Sequence, residues 1–338
     1  MPQTKNALER LQALETSRLT RYAVKLLFII TAFWILLWPH LRRPEALLLS
    51  GKEAYYHLQN GPVATILSFL NTHTNIDPFL LAKLLPIMLG ITSLLLFYGV
   101  LRKSGFSYDI TIISTLTLII SPSFIYLFGT LNAYAFTSFL LLLALYLMTQ
   151  KKEMLAVLVL YLMPLFGIVQ ALLGLLLILI YLPKNKKLKM FLIALPSLAL
   201  LYFSPKILPG YNNIIISDFG GRYGLGLFII LLAIFGLKHL WQKKYKHMLT
   251  YATRLLLCLF SFIDVRVLAY MNFILAVIAA LGLVALIKSE WRSGLIKQLS
   301  VLIMIYGLIF SGLSYINFLS QDTPNQVVLE MIEYLKII

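Results

Sequence analysis

The run FLLAKLLPIMLGITSLLLFYGVL, Phe79 to Leu101, decides what kind of protein this is. It holds one charged residue, Lys83. At a rise of about 1.5 Å per residue, a helix of that length crosses the roughly 30 Å hydrocarbon core of a bilayer. The rest of the 338-residue chain is of the same character: 60% hydrophobic, 12% charged, mean hydropathy +0.87, well beyond an ordinary soluble domain. The single Cys258 excludes a disulfide framework and any cysteine-rich metal site. About twenty mixed-charge residues precede the first apolar run and no small-residue cleavage site follows it, so a cleavable signal is not expected there.

Similar runs recur at approximately 23–38, 108–128, 131–149, 153–166, 168–182, 188–204, 223–240, 248–263, 266–287 and 298–318. With the first, they predict an all-α polytopic membrane bundle of about eleven transmembrane helices. The pair around Pro164 and Gly167 has a second reading, one broken re-entrant hairpin, which leaves the later sidedness unchanged. Pro86, Pro122, Pro164 and Pro196 lie within or beside spans and are expected to kink them and open a lateral cavity. The chain divides into a cytoplasmic amphipathic N-terminus over 1–22, a membrane domain over 23–319 and an external tail over 320–338.

Sidedness follows from the basic residues. With a cytoplasmic N-terminus, eighteen of the 29 lysines and arginines fall in inside segments and seven outside, which satisfies the positive-inside rule. The remaining four, Lys25, Lys83, Lys238 and Arg254, sit near span ends, where long side chains snorkel. Topology thus accounts for the net charge of +16 without a nucleic-acid partner. The expected location is the plasma membrane. Acids behave differently: eight of thirteen fall outside, several against spans, and the rule says little about acids.

Three outside stretches carry chemistry. In GKEAYYHLQNG, Gly51 to Gly61, Glu53 lies in a loop long for a helix connection. It reads either as an interfacial helix with Tyr55 and Tyr56 in the aromatic belt, or as a carboxylate at a cavity mouth serving as general base or metal ligand. In IIISDFGGRYG, Ile214 to Gly224, two glycines permit a turn that folds Asp218 and Arg222 toward the membrane; the alternative is a solvated turn with a local ion pair. In FIDVRVLAYMN, Phe262 to Asn272, Arg266 opens a span after Asp264, suiting a bidentate phosphate contact, or else snorkelling or pairing with Asp264.

Together these stretches resemble the catalytic subunit of oligosaccharyltransferase and its archaeal relatives, in the C-type glycosyltransferase superfamily. That family carries Asp-x-x-Tyr-His-x-Arg in its first external loop. KEAYYHLQ is similar, with Glu53 at the acid, Tyr56 and His57 matching, and Gln59 replacing the arginine. IIISD resembles the motif that ends in a carboxylate in the fifth external loop, at Asp218. RVLAYMNFILAVIAALGL resembles the span whose arginine faces the lipid-linked pyrophosphate, at Arg266. The resemblance covers about 20–338 through short, degenerate motifs whose order carries the weight.

It implies transfer of a sugar or oligosaccharide from a polyprenyl (di)phosphate donor to a protein or lipid acceptor on the external face. Glu53 and Asp218 would be catalytic, Tyr56, His57, Arg222 and Arg266 would bind substrate, and Mn²⁺ or Mg²⁺ would be held by Glu53, Asp218 and Asn132. Asn132 stands in GTLNAYAF where the family has a second acid, which implies a weaker divalent site or none. The family's Trp-Trp-Asp acceptor motif is missing, since Trp34, Trp38, Trp241 and Trp291 are isolated. The tail from Thr323 resembles the start of the soluble domain that would bear it. Two rival expectations are a non-catalytic polyprenyl-lipid-binding relative and a transporter or flippase of lipid-linked sugars. Transporters place ionisable groups near the bilayer midplane, and these spans hold few there.

Overall fold

Leucine, isoleucine, phenylalanine and alanine dominate the apolar runs, and a backbone in lipid must satisfy its own hydrogen bonds, so these runs become helices. The computed structural model describes residues 18–42, 62–74, 76–181, 195–203, 216–219, 224–241 and 267–321. Those residues are nearly all helical and contain no named strand. In order come α1 (Arg18–Arg42), α2 (Pro62–Thr74), α3 (Pro78–Lys103), α4 (Tyr108–Ile119), α5 (Pro122–Gly129), α6 (Ala133–Thr149), α7 (Glu153–Leu160) and α8 (Ile168–Tyr181). They are followed by α9 (Leu227–Trp241), α10 (Leu268–Lys288) and α11 (Gly294–Gln321). Short 3₁₀ turns occupy Met163–Phe166, Leu195–Phe203 and Ser217–Phe219.

Four helices, α1, α3, α10 and α11, are long and apolar enough to cross a membrane, or five spans if the bent pair α4–α5 counts as one. The remaining apolar helices are shorter. The expected run 248–263 lies outside the described residues, and 188–204 contributes only the turn Leu195–Phe203. The pair around Pro164 is α7, a 3₁₀ turn containing Pro164, and α8 beyond Gly167. On α1 and α11 large apolar side chains point outward, among them Trp34, Trp38, Leu299 and Phe310, as expected of faces that meet lipid rather than water.

The ends of α3 show how local sequence sets the boundaries. Pro78 opens it at a position where a missing N–H costs nothing. At the other end Gly105 takes φ +84°, and the Phe106 amide donates to the Leu101 carbonyl at 3.2 Å, a left-handed stop that favours glycine.

The expected span 108–128 is broken: α4 and α5 meet at 61°. Pro122 has no N–H to offer the Leu118 carbonyl four residues back. The Ser121 hydroxyl replaces it, donating to Leu118 O at 2.7 Å while accepting from the Phe124 amide at 3.3 Å. Every residue of α5 is buried, so this short helix is the centre about which α1, α3, α10 and α11 pack. Phe124 and Phe128 on it lie with ring centroids 4.9 Å apart, and Phe28, Leu36, Phe97, Tyr270 and Phe273 complete the core.

Apolar burial gains little when the alternative environment is lipid, so close packing must hold the helices together. α9 and α10 cross at Gly236 and Gly282. A Cβ at Gly282 would sit 2.0 Å from the Leu232 carbonyl oxygen, so only glycine permits this approach.

Candidate functional site

Of the residues singled out in the sequence, Glu53, Tyr56, His57, Arg222 and Arg266 lie outside the described residues, and Asp218 and Asn132 lie within them.

Asp218 sits in the 3₁₀ turn Ser217–Phe219, which a parallel bridge between Ile216 and Leu225 holds against the entry to α9; the Ser217 amide donates to Leu225 O at 3.1 Å. Its carboxylate spans two elements. Oδ2 accepts from the Leu227 amide, the first residue of α9, at 2.6 Å, and Oδ1 accepts from the Ser311 hydroxyl on α11 at 2.6 Å. A carboxylate at a helix N-terminus is favoured by unsatisfied amides and by the helix dipole. Asp218 is nonetheless exposed, and each carboxylate oxygen has a second lone pair, so the group keeps acceptor capacity toward solvent.

The same end of the bundle contains the break between α4 and α5. Ser123 Oγ donates to Gly224 O at 2.6 Å, joining α5 to the segment that leads into α9. Asn272 on α10 donates through Nδ2 to Ser121 Oγ at 2.6 Å. Its Oδ1 and the Ser217 hydroxyl, both buried, have no hydrogen-bond partner among the described residues. A polar seam therefore links Asn272, Ser121, Ser123, Gly224, Asp218 and Ser311 across α10, α5, α9 and α11. Asn272 within AYMNFIL was the signal for it in the sequence, since an amide inside an apolar span needs a reason. Its partners, from distant helices, left no such signal.

Asn132 performs a different task. It caps α6, with Oδ1 accepting from the Ala135 amide at 2.8 Å. Its Nδ2 donates to Leu127 O at 3.0 Å, Thr130 O at 3.1 Å and Thr130 Oγ1 at 3.0 Å, closing the turn after α5. An aspartate would retain the cap but turn an oxygen toward two carbonyls. The turn therefore accounts for an amide at this position. Asn132 and the Asp218 turn lie at opposite ends of α5, an eight-residue helix about 12 Å long. Two oxygens on one Mn²⁺ or Mg²⁺ lie within about 4–5 Å of each other. Asn132 is committed to the turn after α5 and Asp218 to α9 and α11, and no group of three or more His, Cys, Asp or Glu capable of holding a metal occurs among the described residues.

His40, in the last turn of α1, was not singled out by sequence. It is buried, and neither ring nitrogen has a hydrogen-bond partner among the described residues. The Gly129 backbone and the Lys83 ammonium are close enough to influence the ring.

Beside α2, which begins at Pro62, a cavity of about 540 Å³ is walled by Ile66, Leu89, Phe136, Phe139 and Phe166. Phe136 and Phe166 stack with centroids 6.1 Å apart. Its lining is apolar apart from Thr65 and suits a hydrocarbon chain, and no charged side chain is among the described residues that wall it.

No protein-family model and no curated protein matches this chain. Residue roles therefore rest on the chemistry above and on the order of the motifs.

Proposed function

We propose that this chain is a membrane glycosyltransferase that moves a sugar or oligosaccharide from a polyprenyl (di)phosphate donor to an acceptor on the external face of the plasma membrane. In this reading it has about eleven spans, a cytoplasmic N-terminus and a long first external loop of which α2 forms part. Arg266 and Arg222 neutralise the donor phosphate, and Tyr56 and His57 line the donor and acceptor site. The acceptor heteroatom attacks the anomeric carbon as the bond to the phosphate oxygen breaks. The electron pair leaves on the phosphate, and the acceptor proton passes to Glu53. Phosphate leaving groups need charge neutralisation more than protonation, so most of the rate comes from positioning and electrostatics. Mn²⁺ or Mg²⁺ would be held by Glu53 and Asp218, with Asn132 occupied by its cap; the ion would polarise the acceptor.

The observation that carries this reading is Asp218: an exposed carboxylate, held rigidly by Leu227 and Ser311 beside a polar seam, in the motif order described above. The apolar cavity next to α2 adds room for a hydrocarbon chain beside the helix that follows Glu53 in the sequence.

The runner-up is a non-catalytic polyprenyl-lipid-binding relative. One observation favours it, namely that Asn132 and Asp218 both spend hydrogen bonds on the fold. A transporter or flippase of lipid-linked sugars is the third reading.

Purified protein incubated with a polyprenyl-linked sugar separates them. Transfer to an acceptor is expected, falling by roughly 10² or more in Glu53→Gln with the fold intact. Loss on chelation and recovery with Mn²⁺ or Mg²⁺ identifies a metal-dependent site, and chelator-resistant turnover identifies Glu53 as base. Full activity in Glu53→Gln overturns the assignment.

A further inference from the structure

A cleft of about 510 Å³ opens where the N-terminal part of α1, the last turns of α3 and the C-terminal part of α6 meet. Its chemistry is divided. Leu95, Leu96 and the Tyr146 ring form an apolar wall that Lys25, Arg102 and Lys103 adjoin, with no carboxylate among the described residues that line it. The wall depends on Gly99, where a Cβ would meet the Tyr146 ring at 2.8 Å; glycine lets α6 lay that ring against α3. Arg102 is held in place, its Nη1 donating to Phe106 O at 3.4 Å and its guanidinium lying 5.4 Å from the Tyr108 ring centroid. Lys25 packs over Tyr22 at 5.9 Å.

We propose that this cleft binds an anionic phospholipid, its phosphate between Lys25, Arg102 and Lys103 and one acyl chain along Leu95, Leu96 and Tyr146. Three cations around one cavity attract a phosphate, and the adjoining apolar wall selects an amphiphile over a free anion. A zwitterionic lipid brings its own ammonium against these three and is disfavoured. The bound lipid joins three helices. It matters most for α1, which turns Leu26, Leu27, Ile30 and Trp34 outward, so one lipid held by Lys25 and by α3 staples α1 to the bundle. The site is independent of the proposed glycosyl transfer and stands or falls without it.

The test uses the purified full chain in mixed phosphatidylcholine and phosphatidylglycerol, with retained lipid read by native mass spectrometry and thermal stability read in parallel. Wild type is expected to retain phosphatidylglycerol in preference and to gain Tm with it. Lys25→Gln/Lys103→Gln is expected to weaken retention roughly tenfold or more and to abolish the Tm gain while remaining folded in phosphatidylcholine. The control Lys151→Gln/Lys152→Gln removes two lysines just beyond the same end of α6 but outside the cleft, and is expected to leave retention within about twofold. An equal loss in the control would reduce the effect to general surface charge and overturn the proposal, as would equal retention of phosphatidylcholine. Displacement of the lipid by inorganic phosphate would make this an anion site and overturn it too.

Discussion

Ser311 on α11 donates its hydroxyl to Asp218 at 2.6 Å, tying the last described helix to the turn that precedes α9. The partner oxygen of the same carboxylate receives the Leu227 amide. One side chain thus joins two helices and also faces solvent, so its structural and chemical roles can be separated by mutation.

Ser311→Ala removes one acceptor contact of Asp218 and leaves the charge. Its cost is expected to be about 0.6–1 kcal/mol, the usual size of a side-chain hydrogen bond between membrane helices. Asp218→Asn loses the charge, so the bonds from both Leu227 and Ser311 weaken, and a fall of about 1–3 kcal/mol is expected in thermal or denaturant unfolding. If Asp218 also takes part in transfer, Asp218→Asn lowers turnover by far more than Ser311→Ala once folded fractions are matched. Equal activity losses would leave Asp218 a purely structural cap.

Asn132→Asp distinguishes a metal ligand from a cap. A family-like second acid would strengthen divalent-cation binding and raise activity. The hydrogen bonds from Nδ2 to Leu127, Thr130 and the Thr130 hydroxyl predict the opposite, a loss of about 1–3 kcal/mol from carboxylate–carbonyl repulsion. Thermal unfolding with and without Mn²⁺ checks it. A variant more stable than wild type in Mn²⁺ would show that the turn tolerates the acid.

Gly282→Leu probes the close crossing of α9 and α10. Because a Cβ there meets the Leu232 carbonyl at 2.0 Å, the helices must separate, and a loss of about 3 kcal/mol or failure to fold is expected. Gly294→Ala, where nothing lies within 4 Å, is the matched control and should be near neutral. Unfolding midpoints of the two variants decide this, and equal midpoints would mean that the crossing yields without cost.

Sidedness is checked by single cysteines in a Cys258→Ser background. Those at Asn185 and Lys243 are expected to be shielded from an impermeant reagent added outside, and those at Asn60 and Asn212 labelled. The reverse pattern would move Glu53 and Asp218 to the cytoplasmic side and end the external-transfer reading.

Much of the fold was legible in the runs of apolar residues, and less of the candidate site was. The membrane-capable helices at Phe79 to Leu101, 266–287 and 298–318 reappear as α3, α10 and α11 with small shifts at their ends. Pro122 announced a kink, which is found as the 61° break between α4 and α5. By resemblance Asn132 is a neutral stand-in for an acid; the structure makes it the N-cap of α6, asparagine being a favoured cap, and adds bonds to Leu127 and Thr130 backbone atoms that carry no residue-type signal. His40 and the seam through Asn272 and Ser121 were not foreseen as sites at all.

Hydropathy and helix formation are sums over neighbours within a few turns, so the local order of apolar residues alone dictated helices long and apolar enough to cross a membrane and their approximate places. Proline chemistry, equally local, offered several places for a break, and of these Pro122 interrupts its span whereas Pro86 lies inside the continuous α3. Which polar groups meet inside the bundle depends on residues far apart in the chain: 151 positions separate Ser121 from Asn272, and 93 separate Asp218 from Ser311. Only packing around α5 selects those partners, because a buried donor or acceptor takes whatever group the crossing of two helices brings within about 3 Å, and no local pattern encodes that crossing.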